Sequence, residues 1–383
     1  MPSNISGFPQ FVDTTARPAG QKIVLICDWL PPDFGAVGQY TLQRGQQLAR
    51  EGHQVTVIGF SSQIPTKDYI EQAMDLLNVL RVQCGTYDKN SLLKRALWTL
   101  NANIKLLRVA RTAIKTADEV VFTGSPPYFL HFIVPANLLL WRKKLVYRIT
   151  DFHPECLMAE FSRVPIWLKA LYQLTLFWRR RVAVFEAIGE DQKARLVAIN
   201  IPQNKMRVVR DPAPVAFAAN LQAKTKPDAF AQAHAILYSG NFGVAHDDKT
   251  FLSGYAQFNA QYPGRAKLWL NAVGKKADQI ERACNLSKLP IYRSQPVPLH
   301  ELPALLISAD LHLITLRDAF VGFVLPSKVY ACIDSGRPIL FVGSAGSDVH
   351  LLCSTRVPAG KYRRVDVGDV QGVIAALDAL VPG

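Results

Sequence analysis

The chain has 383 residues, 49% of them hydrophobic and 19% charged, a balance that excludes intrinsic disorder, and it is long for a single core, so two domains are expected. A formal net charge of +14 points to anionic partners: nucleic acid, a phospholipid surface or phosphorylated small molecules. No run of 18 apolar residues exists to span a bilayer, Met1–Gly20 lacks the basic-then-apolar order of a signal peptide, and the six cysteines form no CxxC pair, so a cytoplasmic protein with reduced core thiols is expected.

Lys22–Cys27 is a continuous apolar strand that stops at the loop Asp28–Gly38. A helix over Gln39–Arg50 and a strand over Gln54–Phe60 complete a βαβ opening of the Rossmann type, in which ligands sit at the strand's carboxyl end. The loop is not GxGxxG. Gly35 and Gly38 allow backbone to approach a ligand closely, or serve turn geometry alone. Further strands are expected at Leu77–Cys84, Glu119–Thr123, Leu145–Thr150, Val182–Ile188 and Met206–Val209, with helical segments between them, which implies a parallel sheet covered on both faces.

Within this half, Lys89–Ala117 holds seven basic residues and no acid, so it supplies half of the net charge. Leu93, Leu97, Leu100, Ile104, Leu107 and Ile114 recur at helical spacing, giving a basic amphipathic helix. Lys94, Arg95, Lys105 and Arg108 are thereby candidates for contact with an anionic membrane surface; alternatively the stripe is core and the charges are solvated. Trp141–Lys144 and Trp178–Arg181 add aromatic-basic clusters. No nucleic-acid motif occurs, so nucleic acid is not an expected partner. Asp151, His153 and Glu155 follow the strand Leu145–Thr150, at the end where α/β sites collect. The competing readings are a buried, hydrogen-bonded ring for His153 and a helix cap for Asp151.

Asp211–His234 has the composition of a linker. A second series then runs through a strand at Ala235–Ser239, a helix at Lys249–Gln261, a strand at Ala266–Val273, a helix before Cys284, a strand at Ile291 and a helix at His300–Ser308. It continues with a strand at Asp310–Leu316, a loop at Arg317–Leu325 and a helix opened by Pro326. Ser327 and Lys328 fall in that helix's first turn, where free N–H groups, a hydroxyl, an ammonium and nearby Arg317 suit a phosphate or diphosphate. The bland alternative is a capped surface helix with a solvated Lys. The strand Ile339–Val342 closes this βαβ unit, and a last helix lies near Asp369–Leu380.

With these residues laid out, the chain resembles bacterial glycosyltransferases of the GT-B fold and is similar to the retaining family GT4. The resemblance rests on KIVLICDWLPPDFGAVGQY with LAREGHQVTVIGF, on ITDFHPE, on ILYSGNFG, and on ADLHLITLRDAFVGFVLPSKVYACIDSGRPILFVG. It implies an α/β protein of two Rossmann-like domains facing across a cleft: an acceptor-binding domain over residues 1–211, a linker over 212–234 and a nucleotide-sugar-binding domain over 235–383. The donor would be UDP- or GDP-linked and the acceptor lipid-linked or a glycan, with the protein peripheral at the inner face of the plasma membrane. Cations and a helix amino terminus neutralise the diphosphate in such enzymes, and no Asp-x-Asp occurs, so no cofactor or metal is expected. Carried across, Gly35 lines the diphosphate, Val297 offers backbone to the base, and Ser327 and Lys328 hold phosphate, with Asn241, Gly243, His246 and Arg317 completing the donor site. Asp151, His153 and Glu155 become the catalytic candidates. The chain departs from the family at Ala36, where a second glycine is usual, at Asn241 and His246, where Arg and Lys are common, and near Phe323 and Ala331, where a glutamate pair is usual. A nucleotide-sugar epimerase of the same architecture and a catalytically silent scaffold are the alternatives.

Overall fold

A computed structural model describes residues 18–33, 35–62, 75–85 and 92–382. The chain divides into two compact units between Pro212 and Ala213. In the first unit, β1 (Lys22–Trp29), β2 (Gln54–Ser61), β3 (Leu77–Gln83), β4 (Glu119–Thr123), β5 (Lys144–Ile149), β6 (Val184–Ala187) and β7 (Met206–Val208) form one sheet. Its order is β3-β2-β1-β4-β5-β6-β7, with every pairing parallel. The helices are α1 (Ala36–Arg50), α2 (Leu92–Thr116), α3 (Leu130–Ala136), which runs on into a π-helical turn at Asn137–Trp141, α4 (Glu155–Met158), α5 (Ile166–Arg179) and α6 (Glu190–Ala198). Ile23 to Cys27 are buried without a break, as a central parallel strand covered on both faces demands.

The first unit also buries charge. Glu186 on β6 accepts from Arg44 of α1 at 2.5 and 2.9 Å, from Arg148 of β5 at 3.3 Å and from Arg207 Nε of β7 at 3.0 Å. Arg148 also reaches Asp211 at 2.6 Å. Burial alone would raise the Glu186 carboxyl, but Arg44, Arg148 and Arg207 outweigh it and hold it well below the usual carboxylate range.

In the second unit, β8 (His234–Ser239), β9 (Ala266–Asn271), β10 (Ile291–Ser294), β11 (Leu311–Thr315), β12 (Ile339–Val342) and β13 (Tyr362–Val365) order as β10-β9-β8-β11-β12-β13, again all parallel. Its helices are α7 (Lys249–Gln261), α8 (Lys275–Leu286), α9 (Leu302–Ser308), α10 (Lys328–Asp334), α11 (Asp348–Arg356) and α12 (Val370–Leu380). Val215 and Phe230, in the stretch of linker composition, are buried with Leu237, Trp269 and Leu305 of this unit. All six cysteines are buried and none forms a disulfide.

Several element boundaries differ from the sequence reading. The strand expected to stop at Cys27 continues to Trp29, because Trp29 pairs with Phe60 and Leu30 N–H donates to Phe60 O at 2.9 Å; α1 accordingly begins at Ala36. The helix expected from His300 starts at Leu302 after a 3₁₀ turn, with Pro303 in its first turn. Residues 89–91 of the expected basic helix lie outside the described residues. In α2 the buried ridge is Ala102, Leu106, Ala110 and Ile114, spaced by four, with Asn103 beside it. Leu97 and Leu100, expected in the apolar stripe, are exposed. The pair α11 and β13 was not anticipated.

Candidate functional site

Open parallel sheets take ligands outside the carboxyl ends of their strands, at the point where strand order reverses. That point lies between β8 and β11 in the second unit and between β1 and β4 in the first.

In the second unit, Ser239 at the end of β8 donates to Asn271 Oδ1 at 3.2 Å, and Asn271 donates to Ser294 Oγ at 2.9 Å and to the Gln295 carbonyl at 2.6 Å. The strand ends are thus tied by side chains. Tyr238 donates to the Asn241 carbonyl at 3.1 Å and stacks on Phe242 with centroids 4.2 Å apart, which fixes the loop after β8. Lys328, the first residue of α10, holds its ammonium 3.2 Å from the Tyr238 ring centroid. The ammonium is buried with no hydrogen-bond acceptor, and burial lowers its pKa to about 7. The Thr315 hydroxyl at the end of β11 is likewise buried and unpartnered.

His246 Nδ1 lies 2.7 Å from the Thr315 carbonyl, and since a carbonyl only accepts, Nδ1 carries the proton and Nε2 is left as an acceptor. Burial first, then the Lys328 charge, pushes its pKa down to about 3, so His246 is neutral at physiological pH and adds no positive charge. Two other cations are close. Lys276 of α8 donates to the His246 carbonyl at 2.7 Å and pairs with Asp248 at 2.7 Å. Arg317 donates its guanidinium to the Val244 carbonyl at 3.1 Å and its backbone N–H to Ala245 O at 2.8 Å. The nearest group to a side chain placed at Gly243 is Asn241 Nδ2 at 3.9 Å. Ser327 caps α10 without a side-chain hydrogen bond, and Val297 is half-buried beyond β10, against the Val215 and Phe230 cluster. The structure therefore gathers Asn241, His246, Arg317 and Lys328 around one loop. Lys276 was missed; its signal is Gly274-Lys275-Lys276 directly after a strand.

In the first unit the sequence reading missed Asp28. It is the second-last residue of β1 rather than part of a loop, and Asp151 follows β5. Burial pushes both carboxyls up to about 6, with the Asp151 charge adding to the rise at Asp28 and the Ser125 side chain opposing it. Gly124, just after β4, lets the backbone lie against that of Asp151, since a Cβ there would fall 2.8 Å from the Asp151 carbonyl. The Tyr128 ring stands 6.1 Å from the rings of both His131 and His153. Thr175 gives its hydroxyl proton to the Leu171 carbonyl at 2.8 Å, so at 3.1 Å it accepts from His131 Nε2–H, leaving Nδ1 as an acceptor. Burial, then Arg179, lowers His131 to about 4. Glu155 is buried in a bidentate pair with Arg179, one arm at 3.0 Å, and Arg179 also donates to the His153 carbonyl at 3.0 Å. The carboxylate of Glu155 thus shapes the loop that carries His153.

Gly35 caps α1 in extended backbone, while Gly38 meets a stricter demand: a Cβ on it would fall 1.8 Å from the Trp29 carbonyl. Its bare α-carbon lets α1 pack against the end of β1. On α2, Lys94, Lys105 and Arg108 are exposed; the side chain of Arg95 lies outside the described residues. Among the described residues no three His, Cys, Asp or Glu side chains converge as metal ligands would, and no helix is long and apolar enough to cross a membrane.

No protein-family model matches the sequence, and no curated protein matches it. Solved structures do. HepE from Anabaena, in complex with UDP and glucose, aligns over 94% of this chain and 92% of its own at 14% identity, with a TM-score of 0.62. The lipopolysaccharide outer core galactosyltransferase WaaB aligns over 94% and 90% at 11% identity and a TM-score of 0.55. A UDP-N-acetylglucosamine 2-epimerase assignment from Listeria monocytogenes aligns over 95% and 88% at 12% identity and a TM-score of 0.57. Similarity at this level establishes the fold: α/β, with two parallel sheets, as in GT-B glycosyltransferases.

Proposed function

We propose that the protein is a retaining glycosyltransferase that moves a hexosyl group from a UDP- or GDP-linked sugar to a lipid-linked or glycan acceptor, in cell-surface polysaccharide assembly at the inner face of the plasma membrane. The observation that carries this reading is the Lys328 ammonium, buried at the switch point of the second unit without an acceptor. A buried polar group left unpaired is costly, and a phosphate oxygen is the partner that an ammonium there fits. Bound diphosphate would keep Lys328 protonated, and Lys328, Lys276 and Arg317 would then stabilise the charge that grows on the leaving diphosphate as the sugar's C1–O bond breaks. In retention without a protein nucleophile, that phosphate takes the acceptor's proton, so no metal step is invoked. On the first unit, Asp28, Asp151 and His153 would position acceptor hydroxyls. Lys94, Arg95, Lys105 and Arg108 of α2 would meet anionic lipid.

The test is titration calorimetry of wild type and Lys328→Ala with nucleoside diphosphates and with nucleosides, followed by transfer to extracted lipid acceptors in EDTA. A loss for Lys328→Ala of roughly 1.5–3 kcal/mol, confined to the diphosphates, and transfer that survives the chelator are expected. Equal loss for both ligands removes Lys328 from the phosphate site. Epimerase chemistry is the second reading, favoured by the shared fold of the Listeria protein; interconversion of the donor sugar with no acceptor present would select it, and donor binding without turnover would select a silent scaffold.

A further inference from the structure

The outer face of α5 is apolar where an ordinary surface helix is polar. Trp167, Ala170, Leu174 and Phe177 follow one another at spacings of three and four, with Ile166 beside the first, and all are exposed: Ile166 is 85% exposed, Trp167 58%, Leu174 46% and Phe177 43%. The opposite side, Leu168, Thr175, Leu176 and Arg179, is buried, so the helix is anchored and its apolar stripe is a fixed feature of the fold. Helix α3 packs on α5, and its π-helical continuation presents a second apolar knob, with Leu139 81% and Leu140 70% exposed. Asn137 holds that knob in shape: its amide donates to the Lys143 carbonyl at 3.0 Å and accepts from Lys143 N–H at 2.9 Å.

Charge decides what covers this surface. Residues 130–149 and 161–185 contain no Asp or Glu. The stripe is flanked by exposed Lys169, Arg180 and Arg181, and the Arg181 guanidinium lies 3.4 Å over the Phe177 ring and donates to the Phe177 carbonyl at 2.7 Å, so a cation borders the apolar stripe at its carboxyl end. A second copy of the same surface would set like charges against like, since an isologous contact pairs a patch with itself. An anionic bilayer satisfies both halves of the pattern, apolar face and cationic flanks.

We propose that α5 is an interfacial membrane helix, lying in the plane of an anionic phospholipid bilayer with Trp167, Leu174 and Phe177 among the upper acyl chains and Lys169, Arg180 and Arg181 at the phosphates. This rests on the reading that the protein works against a membrane, and it assigns insertion to α5 where that reading assigned electrostatic contact to α2.

The test uses the full chain with vesicles of equal parts phosphatidylglycerol and phosphatidylcholine, some carrying brominated acyl chains. Wild type should sediment with them, and bromine should quench tryptophan emission, less so in Trp167→Phe. The triple variant Trp167→Gln, Leu174→Gln, Phe177→Gln changes no charge and no buried residue, and should bind at least about tenfold more weakly with an unchanged melting temperature. If the triple variant sediments like wild type and Trp167→Phe leaves quenching intact, insertion by α5 is wrong; if Lys94→Glu, Lys105→Glu, Arg108→Glu then abolishes binding, the membrane reading survives without it. Wild type that ignores all vesicles overturns both. A lipid-free dimer that the triple variant turns into a monomer, with sedimentation unchanged, would give the surface to a second copy and also overturn the proposal.

Discussion

Lys328 at the start of α10 and Thr315 at the end of β11 are two buried polar groups without hydrogen-bond partners, and that arrangement has a cost in the free protein. The folded pKa of Lys328, about 7, lies below the roughly 10.4 of an unfolded lysine, so between those values the unfolded chain holds a proton that the folded chain has released. Stability therefore rises with pH across that window, and the penalty is fully present below it. Lys328→Met, which keeps the length and removes the charge, should raise the melting temperature at about pH 6 and lose that advantage by about pH 10.5; a variant less stable at both would show that contact with the Tyr238 ring outweighs the burial cost. On the acceptor side, His153→Ala should lower turnover by about 10²-fold with donor affinity little changed, and near wild-type turnover would make the ring structural. The cluster beyond the end of β11 could largely be read from sequence, because Arg317, Ser327 and Lys328 sit beside a strand end in one local motif. Asp28 could not, since whether it ends a strand or opens a loop is decided by Trp29 pairing with Phe60, two strands that no local pattern connects.

At the scale of elements, α2 shows where periodicity stops informing. Its sequence carries two apolar stripes, and the fold buries the one with alanines at every second position, Ala102, Leu106, Ala110 and Ile114, because small residues let the helix sit close to the sheet. Leu106→Ala should therefore cost about 2–5 kcal/mol in urea unfolding, while Leu100→Ala on the exposed side should cost well under 1 kcal/mol. Comparable losses at both sites would mean that the outer stripe is covered in solution. Strands such as Glu119–Thr123 and Ile339–Val342, by contrast, stand where their uninterrupted apolar runs place them, since a run buried on both faces has only one use. The missed pair α11 and β13 is short, and its helix is held by four buried side chains, Asp348, Val349, Leu352 and Cys353, so packing more than pattern defines it.

For the molecule as a whole, the sign of the net charge hides an interior where charge is balanced with care. Glu186 serves three arginines, and its carboxyl is held below its unfolded pKa of roughly 4.3; the stability it contributes is complete above that value and is lost as pH falls through its folded value. Glu186→Gln should destabilise the protein by about 3–5 kcal/mol at neutral pH, because Arg44, Arg148 and Arg207 would lose the buried carboxylate they share, and the gap from wild type should narrow in acid. A gap that widens in acid would contradict this sign. The six buried cysteines lead somewhere more practical. Burial raises every one of their thiols above the ordinary value, so almost no thiolate is available at neutral pH. The natural sequence is thus nearly silent toward maleimides, and one cysteine substituted at Leu139 or Ala170 would carry a spin label or fluorophore to a chosen spot without any native cysteine having to be removed.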